Sequence, residues 1–308
     1  MNLIKTSCYL LLSLSSATSE WAGPESTLNS GSGNQNWYDM TSSSDFTKLA
    51  ATAQSGNIWL STDSGSSWSE DTSIGATKNW RGIASSSDGV HLVASVYQGN
   101  IWLSTNSGTS WTEDTSIGST QSWYGISSST DGVNLAAVAF TGNIWISANS
   151  GTSWTEDTSV GTTQYWYAIA TSADGVKLVA TVFGGNLWTS VNSGGSWSEV
   201  TTTGATQNWY SIASSSDGVK LVASVNAGYL WRSSDSGATW TEDTTVGSTQ
   251  VFPMISSSPD GVSVVAGAKP GFLWTSDDSG NRMVTDSYKL DKIRTRTYTR
   301  LCFDYSIL

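Results

Sequence analysis

The tryptophans of this chain recur at a 43-residue interval. Trp59, Trp102, Trp145, Trp188, Trp231 and Trp274 form one series, and Trp68, Trp111, Trp154, Trp197 and Trp240 a second. Trp37, Trp80, Trp123, Trp166 and Trp209 form a third, so that of 17 tryptophans only Trp21 stands off the interval. A period of this length belongs to repeat architectures built from one supersecondary unit per copy. The interval places repeats at 37–79, 80–122, 123–165, 166–208, 209–251 and 252–294. It also directs the search for function. A residue present in every copy serves the scaffold, so a binding site is sought where copies differ.

One copy reads as four strands. Trp80–Ser87 is a first strand, closed by the turn dipeptide Asp88-Gly89. His91–Tyr97 is a second, Gln98-Gly99 turns the chain, and Asn100–Ser104 is a third. A hairpin through Gly108 leads to a fourth strand over Trp111–Ser116. Four short antiparallel strands per 43 residues predict an all-β fold, a six-bladed β-propeller of four-stranded antiparallel blades. Trp80 and Ile83 are expected on opposite faces of the first strand, both buried between neighbouring blades.

Residues 1–19, with Lys5 ahead of a short apolar run and small residues near Ala17, predict a signal peptide and a secreted or lumenal location. The segment 20–36 is expected to close the ring by reinforcing the sixth blade, with Trp21 filling the place where Met283 interrupts the second tryptophan series. The tail 295–308 repeats nothing and is expected to wrap the outside or remain disordered. Net charge is −11, and the acidic excess lies in the repeats. That balance excludes a phosphate-tracking surface and docking to anionic lipid. Cys8 and Cys302 lie outside the repeats, so no disulfide framework or cysteine metal site supports the core.

The third hairpin, Ser61-Thr-Asp63-Ser-Gly65-Ser-Ser-Trp68, resembles the Asp box, or BNR repeat, and returns at Ser104, Ser147, Ser190, Ser233 and Ser276. Its acidic position reads Asp63, Asn106, Asn149, Asn192, Asp235 and Asp278. Interchange of Asp and Asn shows a need for a hydrogen-bond acceptor rather than a charge. The Asp-box families include enzymes. Sialidases, similar in the Asp box alone, use an arginine triad; before Arg294 the repeats hold only Arg81, Arg232 and Arg282, which are not expected to converge. Xyloglucanase-type propellers place two aspartates across a cleft between tandem propellers, and one propeller is expected here. The pairs Glu70-Asp71, Glu113-Asp114, Glu156-Asp157 and Glu242-Asp243 read as a solvated acidic rim that blunts outer strands. His91, the single histidine, is expected on the surface. No catalytic residue, metal site or cofactor is expected.

Strand order puts the Asp-Gly turns and Asp boxes on one face, and the second-to-third turns and inter-blade loops on the other. The copies differ on the latter face. Tyr97, Gln98, Phe140, Phe183 and Asn226 occupy the second-to-third turns, and Tyr38, Arg81, Tyr124, Tyr167 and Tyr210 the openings of the first strands. These residues suit either stacking on a glycan or peptide, or packing between blades. The expected function is a non-catalytic, monomeric binding module for a glycan or protein, with no nucleic-acid partner and no membrane insertion. Trp-initiated blades and the Gly-x-hydrophobic-aromatic third strand also resemble the photosystem II assembly factor family, although that family normally has seven blades and a basic patch. The remaining alternative is a glycan-active hydrolase or lyase.

Overall fold

The computed structural model describes residues 35–161, 163–246, 249–269, 273–280 and 283–285. The expectations for the signal peptide, Trp21, Arg282 and the tail fall outside these residues. The described residues form 24 strands in six antiparallel groups of four. In the second group the strands are Lys78–Ser85, Leu92–Gly99, Ile101–Ser104 and Thr112–Asp114. The described part of the fourth strand of the sixth group is Val284–Thr285, and Met283 before it is buried in a cluster with Phe252 and Val264.

The groups pack face to face through apolar wedges. Ala84, Val93 and Ile101 of repeat two meet Trp123, Ile126 and Leu135 of repeat three, and homologous residues fill four other joints. Each first-strand tryptophan packs edge-on against the third-strand tryptophan of its own repeat, with centroids 6.2 Å apart for Trp123 and Trp145. Trp123, Trp166 and Trp209 are 0 % exposed. The tryptophan interval is therefore the interval of the wedges.

The expectation that Trp80 and Ile83 face opposite ways is overturned, because both lie in one cluster with Ile58 and Trp102. The reason is a β-bulge. Trp80 pairs with Val96 and Ile83 with Ala94, so two residues of the first strand oppose Ser95 alone. The extra residue reverses the parity of everything beyond it. It also leaves a buried N–H outside the ladder, and a second-strand hydroxyl accepts it. Gly82 N–H donates to Ser95 Oγ at 3.0 Å, Ala168 to Thr181 Oγ1 at 2.9 Å, and Ser211 to Ser224 Oγ at 3.1 Å. Thr181→Val, nearly isosteric, is expected to cost about 1–3 kcal/mol in urea denaturation by orphaning that N–H. A loss within error would show that the hydroxyls do not hold the bulges.

Strand ends also differ from expectation. The second strand does not stop at Tyr97. It continues through Gly99, and its end crosses to the next repeat, pairing Tyr97 with Ser122 and Gly99 with Gln121. The crossing turns on Gln98, which has φ 55° and is exposed.

On the opposite face a second set of cross-repeat bonds follows the same period. Ser44 N–H donates to the carbonyl of Ser87, Ser87 to Thr130, Thr130 to Ala173, Ala173 to Ser216, and Ser216 to Pro259, all at 2.7–2.8 Å. The adjoining turns are fixed by aspartates. Asp45, held by the hydroxyls of Ser43 and Thr47 and by the Thr47 N–H, is lowered to about 2. Asp88, Asp131, Asp174 and Asp217 are lowered for the same reason, each by a serine hydroxyl first and a backbone N–H second. A carboxylate whose pKa is depressed by folding stabilises the fold above its unfolded value, and that contribution is lost as pH falls through the folded value. The melting temperature is accordingly expected to fall between about pH 4 and 2, and Asp45→Asn to flatten part of that fall. An identical pH profile for the variant would contradict this origin.

In the hairpins that resemble Asp boxes, Asp and Asn act alike through one oxygen. Asp63 Oδ1 accepts from Ser67 N–H at 2.8 Å, and Asn106 Oδ1 from Ser110 N–H at 2.9 Å. Asn149, Asn192 and Asp235 accept from Ser153, Ser196 and Thr239 in the same way. The preceding serine donates to the acidic position in the sixth hairpin too, from Ser276 to Asp278.

Candidate binding face

The bulge positions the candidate site. The residue after each first-strand tryptophan is part of the bulge and is turned toward the axis the first strands surround. Tyr38, Tyr124, Tyr167, Tyr210 and Pro253 from five different repeats line one axial cavity of about 80 Å³. The sixth member of this series, Arg81, is 6 % exposed and sits among rings. Its guanidinium carbon lies 4.4 Å from the centroid of Tyr38 and 5.0 Å from those of Tyr97 and Tyr124. Cation–π attraction strengthens when the cation is desolvated, as here.

The cross-repeat ends of the second strands extend this cluster outward. Tyr97 meets Tyr124 edge-on at 5.8 Å, and Phe140 stacks on Tyr124 at 4.8 Å. Tyr124 meets Tyr167 at 5.0 Å, and Tyr167 meets Tyr210 at 4.6 Å and Phe183 at 6.0 Å. Eight of the ten residues nominated from sequence thus form one continuous aromatic and cationic surface. The other two stand outside it. Gln98 carries the positive-φ turn, and Asn226 N–H donates to the Asn208 carbonyl at 2.8 Å. Tyr97, Phe140 and Phe183 lie at strand ends rather than in free turns, and are half-buried. Burial, reinforced by Tyr38 and Tyr210, raises the Tyr167 phenol well above its ordinary value.

One member of the surface was missed. Tyr165 is 54 % exposed, and its ring lies 5.1 Å from Phe140. Its equivalents are Asn36, Asn79, Ser122, Asn208 and Val251, so the rule of seeking differences between copies points to it.

The carboxylate at the cavity and those of the outer strands are committed to structure. Asp39 lines the axial cavity, but its oxygens accept from Met40 N–H at 2.9 Å and from Ile83 N–H of the next repeat at 3.0 Å. The outer Glu-Asp pairs form a solvated rim through their glutamates alone, and the expectation from sequence is corrected for Asp71, Asp114 and Asp243, which are buried. Glu70, Glu113 and Glu156 are exposed but accept from Asn57, Asn100 and Asn143 at 2.8–3.0 Å. Asp71, Asp114 and Asp243 are buried caps of the turns that follow, accepting from Ser73, Ser116 and Thr245 N–H. A fixed acceptor within a turn is poorly placed to exchange protons with a substrate. His91 is half-buried against Gly132 of repeat three.

The other mouth of the axis is different in character. It is a cavity of about 310 Å³ to which all six first strands contribute, lined mainly by Ser, Thr and Ala. Hydroxyls of Ser85, Ser128 and Ser214 there donate to adjacent carbonyls. The molecule therefore presents one aromatic mouth and one hydroxyl-lined mouth.

Comparison with known proteins separates fold from family. No family model matches the chain, and no curated protein matches it in sequence. Solved structures do match in shape. YCF48 bound to D1 peptide superposes with a TM-score of 0.62 at 16% identity, covering 88% of this chain and 94% of that one. YCF48 from Cyanidioschyzon merolae gives 0.61 at 13% identity, over 88% and 95% of the two chains. An ancestral GH74 enzyme gives 0.65 at 17% identity, but only 38% of its chain is covered by 84% of this one. At such identities the likeness shows the fold alone, which is a β-propeller.

Proposed function

We propose that the chain is a non-catalytic interaction module, a six-bladed ring whose aromatic face grips a segment of another protein. The observation that carries this reading is the continuous surface from Arg81 through Tyr124 and Phe140 to the exposed Tyr165. Aromatic residues and arginine dominate binding hot spots because they offer large contact area with few rotatable bonds. A protein ligand is favoured over a glycan by the shared fold with YCF48, which has been solved with a D1 peptide. A non-catalytic role is favoured because Asp39, the carboxylate that lines the axial cavity, holds backbone amides. The nearest alternative, a part in photosystem II assembly, would appear as co-purification with a reaction-centre subunit. Secretion or lumenal delivery, the location we favour, would appear as a mature N-terminus near residue 19 in the purified protein.

The test is a parallel screen of the intact protein on a peptide array, a glycan array and a panel of polysaccharides for hydrolysis. Peptide binding with no turnover is the expected result. Turnover abolished by a single Asp or Glu substitution would overturn the non-catalytic reading, and saturable binding confined to the glycan array would overturn the choice of ligand.

A further inference from the structure

The hydroxyl-lined mouth has a chemistry of its own. Its cavity of about 310 Å³ lies at the lower end of the range for small-molecule sites, and its lining includes no charged and no aromatic side chain. Ile83, Ile126, Ile212 and Ile255 give it an apolar floor. Each first strand ends at the mouth in a hydroxyl, borne by Ser42, Ser85, Ser128, Thr171, Ser214 and Ser257. Four of these donate to the carbonyl of the following residue, Ser85 to Ser86, Ser128 to Ser129, Thr171 to Ser172 and Ser214 to Ser215, at 2.7–3.1 Å. Ser257 donates to the Ser214 carbonyl of the preceding repeat at 3.0 Å. A hydroxyl carries one hydrogen and two lone pairs. With their hydrogens turned to carbonyls, these five offer an incoming molecule only acceptor oxygens. The sixth, Ser42, lines the same cavity and is 7 % exposed, and its Oγ has no hydrogen-bond partner among the described residues. A buried polar atom left unpaired carries a cost that a bound donor would recover.

The rim adds charge. Ser44, Ser87, Thr130, Ala173, Ser216 and Pro259 line the cavity, and each is followed by an exposed aspartate, from Asp45 to Asp260. Hydroxyls and backbone N–H groups hold Asp45, Asp88, Asp131, Asp174 and Asp217 below the usual carboxylate range, so these five are ionised at neutral pH. Three lysines reach over the turns, but their ammonium groups are drawn to other oxygens. Lys48 Nζ donates to the Asp88 carbonyl and Ser107 Oγ, Lys177 Nζ to the Asp217 carbonyl and Ser236 Oγ, and Lys220 Nζ to the Asp260 carbonyl, at 2.9–3.1 Å. Six carboxylates against three ammonium groups leave the rim acidic. A cleft bordered by one sign of charge concentrates its field and draws in ions of the other.

We propose that the hydroxyl-lined mouth is a second binding site, separate from the aromatic face, and that it takes a small aliphatic polyamine. An alkylammonium group presents three N–H donors and no acceptor, the complement of hydroxyls whose own hydrogens are already used. Those bonds offset the loss of its water, which an unpaired buried cation could not bear. Its methylene stem is apolar and lies against the isoleucines, as lysine stems do on apolar surface. Its charge matches the rim. Other ligands fit less well. An anion meets a rim of like charge. A sugar needs donors as well as acceptors, and the strand-end hydroxyls supply only the latter. A divalent metal requires several carboxylate or carbonyl oxygens at close range, whereas the rim aspartates hold the hydroxyls and N–H groups of their own turns.

Isothermal titration of the full chain with spermidine tests this, at about 150 mM salt so that attraction between distant exposed charges is screened. One saturable site is expected. Ser128→Ala with Ser214→Ala removes two acceptor hydroxyls and should weaken spermidine by about tenfold. The carbonyls they bond keep a partner, since Gly132 N–H donates to Ser129 and Gly218 N–H to Ser215, so the fold should survive. A second variant, Asp131→Asn with Asp174→Asn, keeps an acceptor oxygen in each turn and removes two rim charges. It should weaken spermidine by about 3–10-fold without disturbing the hydroxyls. Binding that never saturates, or affinity unchanged in both folded variants, would overturn the site. Tighter binding of sucrose or of calcium than of spermidine would overturn the choice of ligand.

Discussion

Trp166→Ala is expected to lower the stability of the protein by about 3–5 kcal/mol, the range for deleting a large aromatic side chain from a packed core. Trp166 is 0 % exposed and packs with Ile144, Ile169 and Val182 in the wedge between repeats three and four. Its ring also meets Trp188 edge-on at 6.3 Å. Removing it leaves a cavity that strands pinned from both sides cannot collapse to fill. Trp154→Ala should cost less, since Trp154 is only half-buried at the edge of its wedge. Urea denaturation of both variants checks the order. Equal losses would mean that the first-strand tryptophans do not carry the wedges.

Phe140→Ala with Tyr165→Ala is expected to weaken a peptide selected on the wild-type protein by about 10–100-fold, the effect of losing one or two hot-spot rings. Both side chains keep substantial exposure and lie at strand ends, so folding should be little affected. Isothermal titration calorimetry gives the affinity and circular dichroism the fold. Unchanged affinity in a folded variant would remove the outer half of the surface from the site.

The fold was legible in the sequence because its period is carried by large side chains. A tryptophan every 43 residues is too regular to serve anything but a repeated contact. The exchange of Asp63 for Asn106 correctly announced an acceptor, since both bond a backbone N–H through Oδ1. The convergence of the nominated side chains was legible for the opposite reason. Subtracting what repeats left Tyr38, Arg81 and Tyr124, and these converge.

The bulge was not legible. Gly82, Ala168 and Ser211 share no side chain that marks it, and the hydroxyls that hold it stand thirteen residues downstream. Local periodicity therefore read Trp80 and Ile83 as facing apart. The outer Glu-Asp pairs misled in the same way. Adjacent carboxylates look alike in a sequence, but alternation along the strand exposes Glu113 and buries Asp114 as a cap. Where strands cross between repeats, the partner is set by the ring rather than by neighbours in sequence, and Tyr97 was accordingly placed in a turn.

The proposed role requires a partner to bind at the aromatic mouth. A selected peptide carrying a photoreactive benzophenone, cross-linked to the wild-type protein and mapped by mass spectrometry, tests this most directly. Adducts are expected on Phe140, Tyr165 and the strand ends beside them. Adducts confined to the serine-lined mouth around Ser85, Ser128 and Ser214 would contradict it.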